Sequence, residues 1–121
     1  MAHEGLHEPA ELLDDATIDR HRALESVIEE LEAIDWYDQR VRATNDPELA
    51  SILAHNRDDE KEHAAMALEW VRRRDPALDA QLRLYLFTTG PIVSVEDEGD
   101  GVPAAAPSGT GLAIGSLRSE S

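Results

Sequence analysis

The sequence predicts an all-α protein built on an antiparallel two-helix hairpin. Two long segments carry apolar residues at alternating steps of four and three, the period of a helix that packs along one face against another helix. Asn45, Asp46 and Pro47 lie between them and suit a tight connection. The chain has 121 residues, of which 41% are hydrophobic, so it forms one small domain whose core would gain from a partner chain.

Helix-start and helix-stop signals place the two long helices. The first is expected from near Pro9, because proline suits the first helical turn, to about Thr44. The second is expected to begin at Pro47, with Asp46 as its N-cap, and to run to about Arg74. Its last turn carries three arginines, where the helix dipole favours cations.

A shorter helix and a tail follow. Pro76 ends the second helix, and Leu78, Leu82 and Leu86 give one apolar face to a third helix over roughly residues 77–88. The folded domain is therefore expected over residues 9–88, after a flexible N-terminus of residues 1–8 without a secretory signal. Residues 89–111 have the composition of a disordered linker, and residues 112–121 are apolar again.

Polar side chains interrupt both helical stripes. Without a partner, a carboxylate in a helix interface costs several kcal/mol. A compensating positive charge is therefore expected, and Glu30, Glu60 and His63 are candidates for a buried metal site. The two stripes are Ala23, Val27, Glu30, Ile34, Tyr37 and Val41 in the first helix and Leu49, Leu53, Asn56, Glu60, His63, Ala67 and Trp70 in the second.

The hairpin register brings these three side chains together. Glu60 and His63 lie one turn apart on one helix face and can reach the same ion. Asn45 is the midpoint between Glu30 and Glu60, so an antiparallel hairpin sets the two glutamates level, about 22 Å from the turn at about 1.5 Å per residue. The alternative is a satisfied polar cluster that only fixes helix register.

These ligands are half of a dinuclear carboxylate site. Such a site in a four-helix bundle uses a Glu from each of two helices and a Glu-x-x-His pair from each of the other two. A two-fold symmetric pair of chains would supply four helices, four carboxylates and two imidazoles. The four negative charges would balance two divalent ions.

Charge and composition exclude several other classes. The formal net charge is −15, from 26 acidic and 11 basic residues, which disfavours nucleic acid or an anionic membrane as partner. The chain has no cysteine, which excludes disulfides, thiolate zinc sites and iron–sulfur clusters. No stretch approaches the roughly 18 apolar residues of a membrane span, so a cytosolic, soluble protein is expected.

Other polar residues allow two interpretations. Glu29 and Glu32 belong to a solvated face or to a path that concentrates cations near the site. Tyr37 is interpreted either as a hydrogen-bond donor behind the ligands or as part of the packed core. Trp36 is interpreted first of all as a large hydrophobic residue. A candidate surface cation site has i, i+4, i+7 spacing and comprises His55, Asp59 and Glu62.

Three runs of sequence closely resemble the encapsulated ferritins. They are RHRA at 20–23, EELEAIDWYDQR at 29–40 and LAHNRDDEKEHAAM at 53–66. The similarity covers roughly residues 7–92. The tail segment LAIGSLR at 112–118 also resembles the cargo-loading peptide that docks such proteins inside encapsulin shells.

The resemblance implies a fold, an assembly and an activity. Two hairpins would pair across a dimer into a ferritin-like four-helix bundle, and dimers would assemble into an open ring, typically a decamer. The protein would be a ferroxidase that binds two iron ions per dimer, with Ca or other divalent cations at the metal-access sites. The positions that match the family are the iron ligands Glu30, Glu60 and His63, the metal-access acids Glu29 and Glu32, and the nearby aromatics Trp36 and Tyr37.

The sequence thus predicts a ferroxidase that oxidises Fe(II) to Fe(III) with dioxygen, or alternatively with peroxide, and serves as encapsulin cargo for iron storage. We expect it in the prokaryotic cytoplasm, inside the nanocompartment and bound to the shell through residues 112–118. The same ligands would also accept zinc or manganese. The alternatives are an acidic helical adaptor with a partner-docking tail and a metal-binding protein without redox turnover.

Overall fold

The computed structural model describes residues 5–95, and it confirms the all-α hairpin and the short third helix. Helix α1 spans Asp15–Ala43, α2 spans Pro47–Arg72 and α3 spans Pro76–Tyr85. A short 3-10 helix, Ala10–Leu12, precedes α1. The chain divides into two compact units, of which the first contains α1 and α2 and the second contains α3. The predicted linker at 89–111 lies largely, and the apolar end at 112–121 wholly, outside the described residues.

Side-chain caps fix where the helices begin. The Asp46 carboxylate accepts hydrogen bonds from the backbone N–H groups of Glu48 and Leu49, at 3.0 and 3.4 Å, which confirms Asp46 as the N-cap of α2. Asp75 does the same for α3 by accepting from the N–H of Leu78 at 3.0 Å. Each cap satisfies N–H groups that have no partner inside the helix.

The predicted start of the first helix near Pro9 was wrong. Asp14 caps α1 by accepting from the N–H of Thr17 at 2.8 Å, while Leu13 is extended and separates α1 from the 3-10 helix. Proline at the start of a helical turn was therefore a weaker signal than an aspartate one turn before Thr17. The third helix also begins and ends earlier than predicted, because Asp75 caps it and Leu86 is extended.

The predicted stripes form the seam of the hairpin. Eleven of their thirteen side chains are half-buried, including those of Glu30, Asn56 and Glu60, whereas Leu49 and His63 are exposed. Few side chains of the hairpin are fully buried. Among residues 5–95 the buried hydrophobic residues are Ala64, Val71 and Val95, and no polar residue is buried. A single hairpin thus lacks the core that stabilises an ordinary small domain.

A cross-helix ion pair adds to the register set by the seam. The Arg57 guanidinium on α2 donates to the Asp38 carboxylate on α1 at 2.8 Å, and only 23% of the Arg57 side chain is exposed. The Asp38 and Asp58 carboxylates that accept from this guanidinium raise the pKa of Arg57. Sequence inspection missed this pair, because its two residues lie outside both stripes.

Candidate metal centre

The structure brings Glu30, Glu60 and His63 together in the middle of the hairpin. One ligand atom from each of the three side chains lies within 4.8 Å of the other two. The His63 Nδ1 atom is 3.1 Å from Glu60 Oε1 and 3.8 Å from Glu30 Oε1. Within residues 5–95 no other group of three acidic or histidine side chains converges in this way. The convergence follows from the level register of the two helices.

The donor set fits a transition-metal ion. Ligands about 2.1 Å from a common ion lie at most about 4.2 Å from one another. Both His63 distances fall inside this limit. Two carboxylate oxygens and one imidazole nitrogen suit iron, zinc or manganese, and fewer than four protein ligands leave coordination positions open. The three side chains therefore fit an ion that stays accessible to small molecules.

The two glutamates share a hydrogen bond, which separates their proton affinities. The bond to Glu60 raises the pKa of Glu30, and burial and the neighbouring Glu60 charge add to the effect. The pKa of Glu60 is lowered, because it accepts from Glu30 and from His63. The hydrogen bond to Glu60 also raises the pKa of His63. The two carboxylates thus differ in their affinity for protons, as closely placed acids do.

The ligands are less buried than the sequence predicts. The exposed fractions of the side chains are 27% for Glu30, 23% for Glu60 and 47% for His63. In a single hairpin the cluster is therefore open on one side. An opening at this position leaves room for further ligands from outside the chain.

The other predicted site residues are placed as follows. Tyr37 is half-buried two turns after Glu30, with the Arg40 guanidinium carbon 5.2 Å from its ring centroid. Trp36 is 52% exposed, and Glu29 and Glu32 are exposed on α1. Carboxylates on the outer surface beside the ligands raise the local cation concentration.

The candidate surface site is only partly assembled. His55 Nε2 lies 3.3 Å from Asp59 Oδ2, and both side chains are more than half exposed. Glu62 is exposed on the same helix but does not join them in a three-ligand group. The spacing therefore gives a pair of ligands here rather than a cluster.

A groove at the C-terminal end of α2 was not anticipated from the sequence. Its walls include Met66, Trp70, Arg73 and Arg74. The Arg74 guanidinium carbon lies 3.9 Å from the Trp70 ring centroid, a cation–π contact. The i, i+4 spacing of an aromatic and an arginine was the available signal.

A helical hairpin with a Glu, Glu, His cluster between its two helices defines a candidate metal-binding protein of the carboxylate type. The chain belongs to the EncFtn-like family, whose match covers residues 5–89. The predicted resemblance to the encapsulated ferritins is thereby confirmed.

Several relatives agree with this assignment. The chain is 57% identical to an "Encapsulated ferritin-like protein" of Rhodospirillum rubrum, over 94% of this chain and 88% of the relative. It is 53% identical to a "Ferritin-like protein" of Thermotoga maritima, over 78% of this chain and 83% of the relative. It is 36% identical to the "Encapsulin nanocompartment cargo protein EncC" of Myxococcus xanthus, over 74% and 76% of the two chains.

A solved structure shares the fold. The crystal structure of protein ne0167 from Nitrosomonas europaea matches with a TM-score of 0.72 and 62% sequence identity, covering 73% of this chain and 97% of that one. Within residues 5–95 no helix is both long enough and apolar enough to cross a membrane.

Proposed function

We propose that this protein oxidises Fe(II) to Fe(III) at a diiron site shared between two chains, as cargo of an encapsulin compartment that stores the iron. The observation that carries the proposal is the convergence of Glu30, Glu60 and His63 within 4.8 Å on a half-exposed part of the hairpin. Dioxygen is the oxidant. Iron is the substrate of the reaction, and it leaves as the ferric product.

Two chains are needed to complete the site. One chain offers two carboxylates and one imidazole, which is half of the ligand set of a carboxylate diiron bundle. A two-fold axis beside the cluster would double the set and cover its open side. Exposed apolar side chains favour such pairing, because Leu24, Ile28 and Leu31 form a stripe along α1 with exposed fractions of 45, 53 and 54%.

The ligands have separate tasks in this reaction. In each chain, ionised Glu30 and Glu60 would help to hold the two ions and offset their charge. The neutral His63 of each chain would supply one nitrogen to one of the two irons. Because carboxylates stabilise the higher oxidation state more than the lower one, the acidic ligands favour loss of an electron from Fe(II). Ligands bind metal in their deprotonated forms, so the raised pKa values of Glu30 and His63 oppose metal binding as pH falls.

Neighbouring residues serve access and support. Exposed Glu29 and Glu32, with Trp36 beside them, form the approach along which cations gather, and Ca or other divalent ions would also occupy it. Tyr37, held under Arg40, supports the ligands from the seam. The partly assembled pair His55 and Asp59, with Glu62, is at most a weak surface cation site.

The cargo role rests on the relatives and on the tail. Two relatives are described as an encapsulated protein and as an encapsulin cargo protein. The match to the first covers 94% of the 121 residues, about 114 residues, so it extends past the end of the family match at residue 89 into the tail. In this proposal residues 112–118 dock in an apolar groove of the shell, within the prokaryotic cytoplasm, and dimers assemble into a ring such as a decamer.

Iron oxidation by the purified full chain tests the activity. We expect repeated turnovers under air, with little activity in Glu30→Ala and His63→Ala and full activity in the matched control Glu48→Ala, an exposed glutamate of α2. Oxidation that stops after one equivalent per site would instead indicate metal binding without turnover. No oxidation above the uncatalysed rate would indicate an adaptor.

Co-expression with an encapsulin shell tests the cargo role. A chain lacking residues 112–121 should oxidise iron normally in solution and be absent from purified shells, whereas the full chain should co-purify with them. Equal loading of the two chains would refute the docking role of the tail.

A further inference from the structure

Met66 is the one internal methionine of a chain without cysteine, since the other methionine is Met1. It lies on α2, and 58% of its surface is exposed. Thioethers are the side chains that two-electron oxidants attack most readily when thiols are absent. Exposure and chemistry together make Met66 the main oxidisable sulfur of the folded hairpin.

Met66 lies one helical turn beyond His63. Residues three apart on a helix are neighbours, with Cβ atoms about 5–6 Å apart. An oxidant formed at the cluster and leaving along α2 therefore meets the Met66 sulfur within the first turn. Beyond it the groove that Met66 lines continues to Trp70.

Trp70, the second oxidisable group of the groove, is in contact with a cation. The Arg74 guanidinium carbon lies 3.9 Å from the ring centroid, and Arg74 also donates to the Trp70 carbonyl at 3.1 Å, which holds the cation in place. Attack of the indole on a peroxide oxygen builds positive charge on the ring beside the guanidinium, so this contact opposes oxidation of the ring.

We propose that Met66 is a sacrificial oxidation site that intercepts hydrogen peroxide released at the Glu30, Glu60 and His63 cluster, while Arg74 protects Trp70. The proposal rests on the proposed iron oxidation. There, two Fe(II) ions each give one electron to dioxygen, which takes up two protons and becomes hydrogen peroxide. A lone pair of the Met66 sulfur then attacks one peroxide oxygen, and the O–O bond breaks as the S–O bond forms. The other oxygen leaves as hydroxide and takes up the proton of the attacked oxygen, which gives the sulfoxide and water.

Peptide mass spectrometry after aerobic iron turnover tests the site. The full chain oxidises Fe(II) with catalase and free N-acetylmethionine in the same solution, and sulfoxide is measured on both thioethers. We expect Met66 sulfoxide to increase in proportion to the iron oxidised and to exceed that of N-acetylmethionine several-fold. Catalase should spare the free thioether and not Met66, because the peroxide is intercepted before it reaches bulk solution.

Two variants and one added-peroxide experiment complete the test. In Arg74→Gln, oxidation of Trp70 should increase several-fold while iron turnover stays unchanged. In Met66→Leu, which preserves apolar volume, Trp70 oxidation should increase and activity should decline sooner over successive additions of iron. Peroxide added without iron should oxidise Met66 before Trp70.

The outcomes separate the two proposals. If iron is oxidised and Met66 sulfoxide does not exceed that of the free thioether, or if catalase abolishes it, the sacrificial role is refuted and the iron oxidation stands. Oxidation of Trp70 before Met66 refutes it as well. If no iron is oxidised the proposed function fails, and the inference fails with it, although the added-peroxide experiment still ranks the two side chains.

Discussion

At the scale of single residues, we expect the protonation of His63 and Glu30 to control the metal affinity of the candidate site. Hydrogen bonding to Glu60 raises the pKa of both groups in the metal-free cluster. Protons therefore compete with the metal already at mildly acidic pH. We expect affinity for a redox-inert ion such as Zn(II), measured by calorimetry, to fall steadily from about pH 8 to about pH 5.5.

A variant separates the two protonations. His63→Gln should bind Zn(II) more weakly at every pH. Its affinity for Zn(II) should begin to fall only at the lower pH where Glu30 takes up a proton. The same pH profile in both proteins would contradict a ligand role for the imidazole.

Glu69 makes a different, purely structural contribution at the end of α2. Arg72 donates to it at 2.7 and 2.8 Å and Arg73 at 2.8 Å, and these bonds lower the pKa of Glu69 from 4.5 to about 2. A lowered carboxyl pKa contributes stability above the unfolded value, and this contribution is lost as pH falls through the folded value.

Glu69→Gln should therefore lower the melting temperature at neutral pH, and the difference from the parent should shrink as pH falls from 4.5 towards about 2. Salt should also reduce it, because 41% of the Glu69 side chain is exposed and the ion pairs are screened. Glu62→Gln, at an exposed glutamate two turns earlier, is the matched control. A difference that grows towards acid would exclude the ion pairs as its source.

The sequence alone was sufficient to predict that the three candidate ligands lie together. Glu30, Glu60 and His63 converge because helical periodicity and a turn at Asn45 fix the register within about one residue. The extent of their exposure was not predictable, since it depends on what covers the seam. The groove beside Trp70 was missed for a related reason, because the i, i+4 spacing of Trp70 and Arg74 permits their contact but does not fix the rotamer of Arg74.

At the scale of elements, the hairpin turn depends on the Asp46 cap. Its carboxylate accepts from the N–H groups of Glu48 and Leu49, which are the first donors of α2. Asp46→Ala should destabilise the protein by about 1 kcal/mol, measured by chemical denaturation, because those donors lose their partner. Asp46→Asn should cost much less, since asparagine caps equally well without the charge. Equal losses in the two variants would mean that the charge, not the cap, matters.

Helix ends show where sequence signals compete. Asp46 was identified because a proline follows it, and the structure confirms that cap. For α1 the same preference for proline at a helix start pointed to Pro9, where it begins only the 3-10 helix, and Asp14 is the true N-cap. The hydrogen bond from the Thr17 N–H to the Asp14 carboxylate decided between Pro9 and Asp14 as the start of α1. Residue propensities do not measure such a bond.

At the scale of the whole molecule, the hairpin exposes more apolar surface than a stable small domain tolerates. In the described part of the chain three hydrophobic residues are buried, whereas thirteen large hydrophobic residues are exposed. Packing against another element supplies most of a helix's stability in proteins. The exposed apolar stripe Leu24, Ile28 and Leu31 on α1 suits a contact with another chain. In the proposed dimer, a second copy would cover this stripe and also complete the set of candidate metal ligands.

Leu24→Glu tests this coupling, because it places a charge on the stripe two turns from the nearest ligand, Glu30. A buried, unpaired carboxylate at a subunit contact is strongly destabilising. We expect native mass spectrometry to show loss of the dimer and of larger assemblies, and iron oxidation to fall with it although all three ligands remain. Ala16→Glu adds the same charge at an exposed position in the first turn of the same helix, where a carboxylate is favourable, and should keep both properties. If Leu24→Glu chains become monomeric and still oxidise iron at the parent rate, one hairpin is sufficient for the chemistry and the shared site is refuted. If they stay paired, the stripe on α1 is not the contact, and the open side of the cluster has to be covered from the other face of the hairpin.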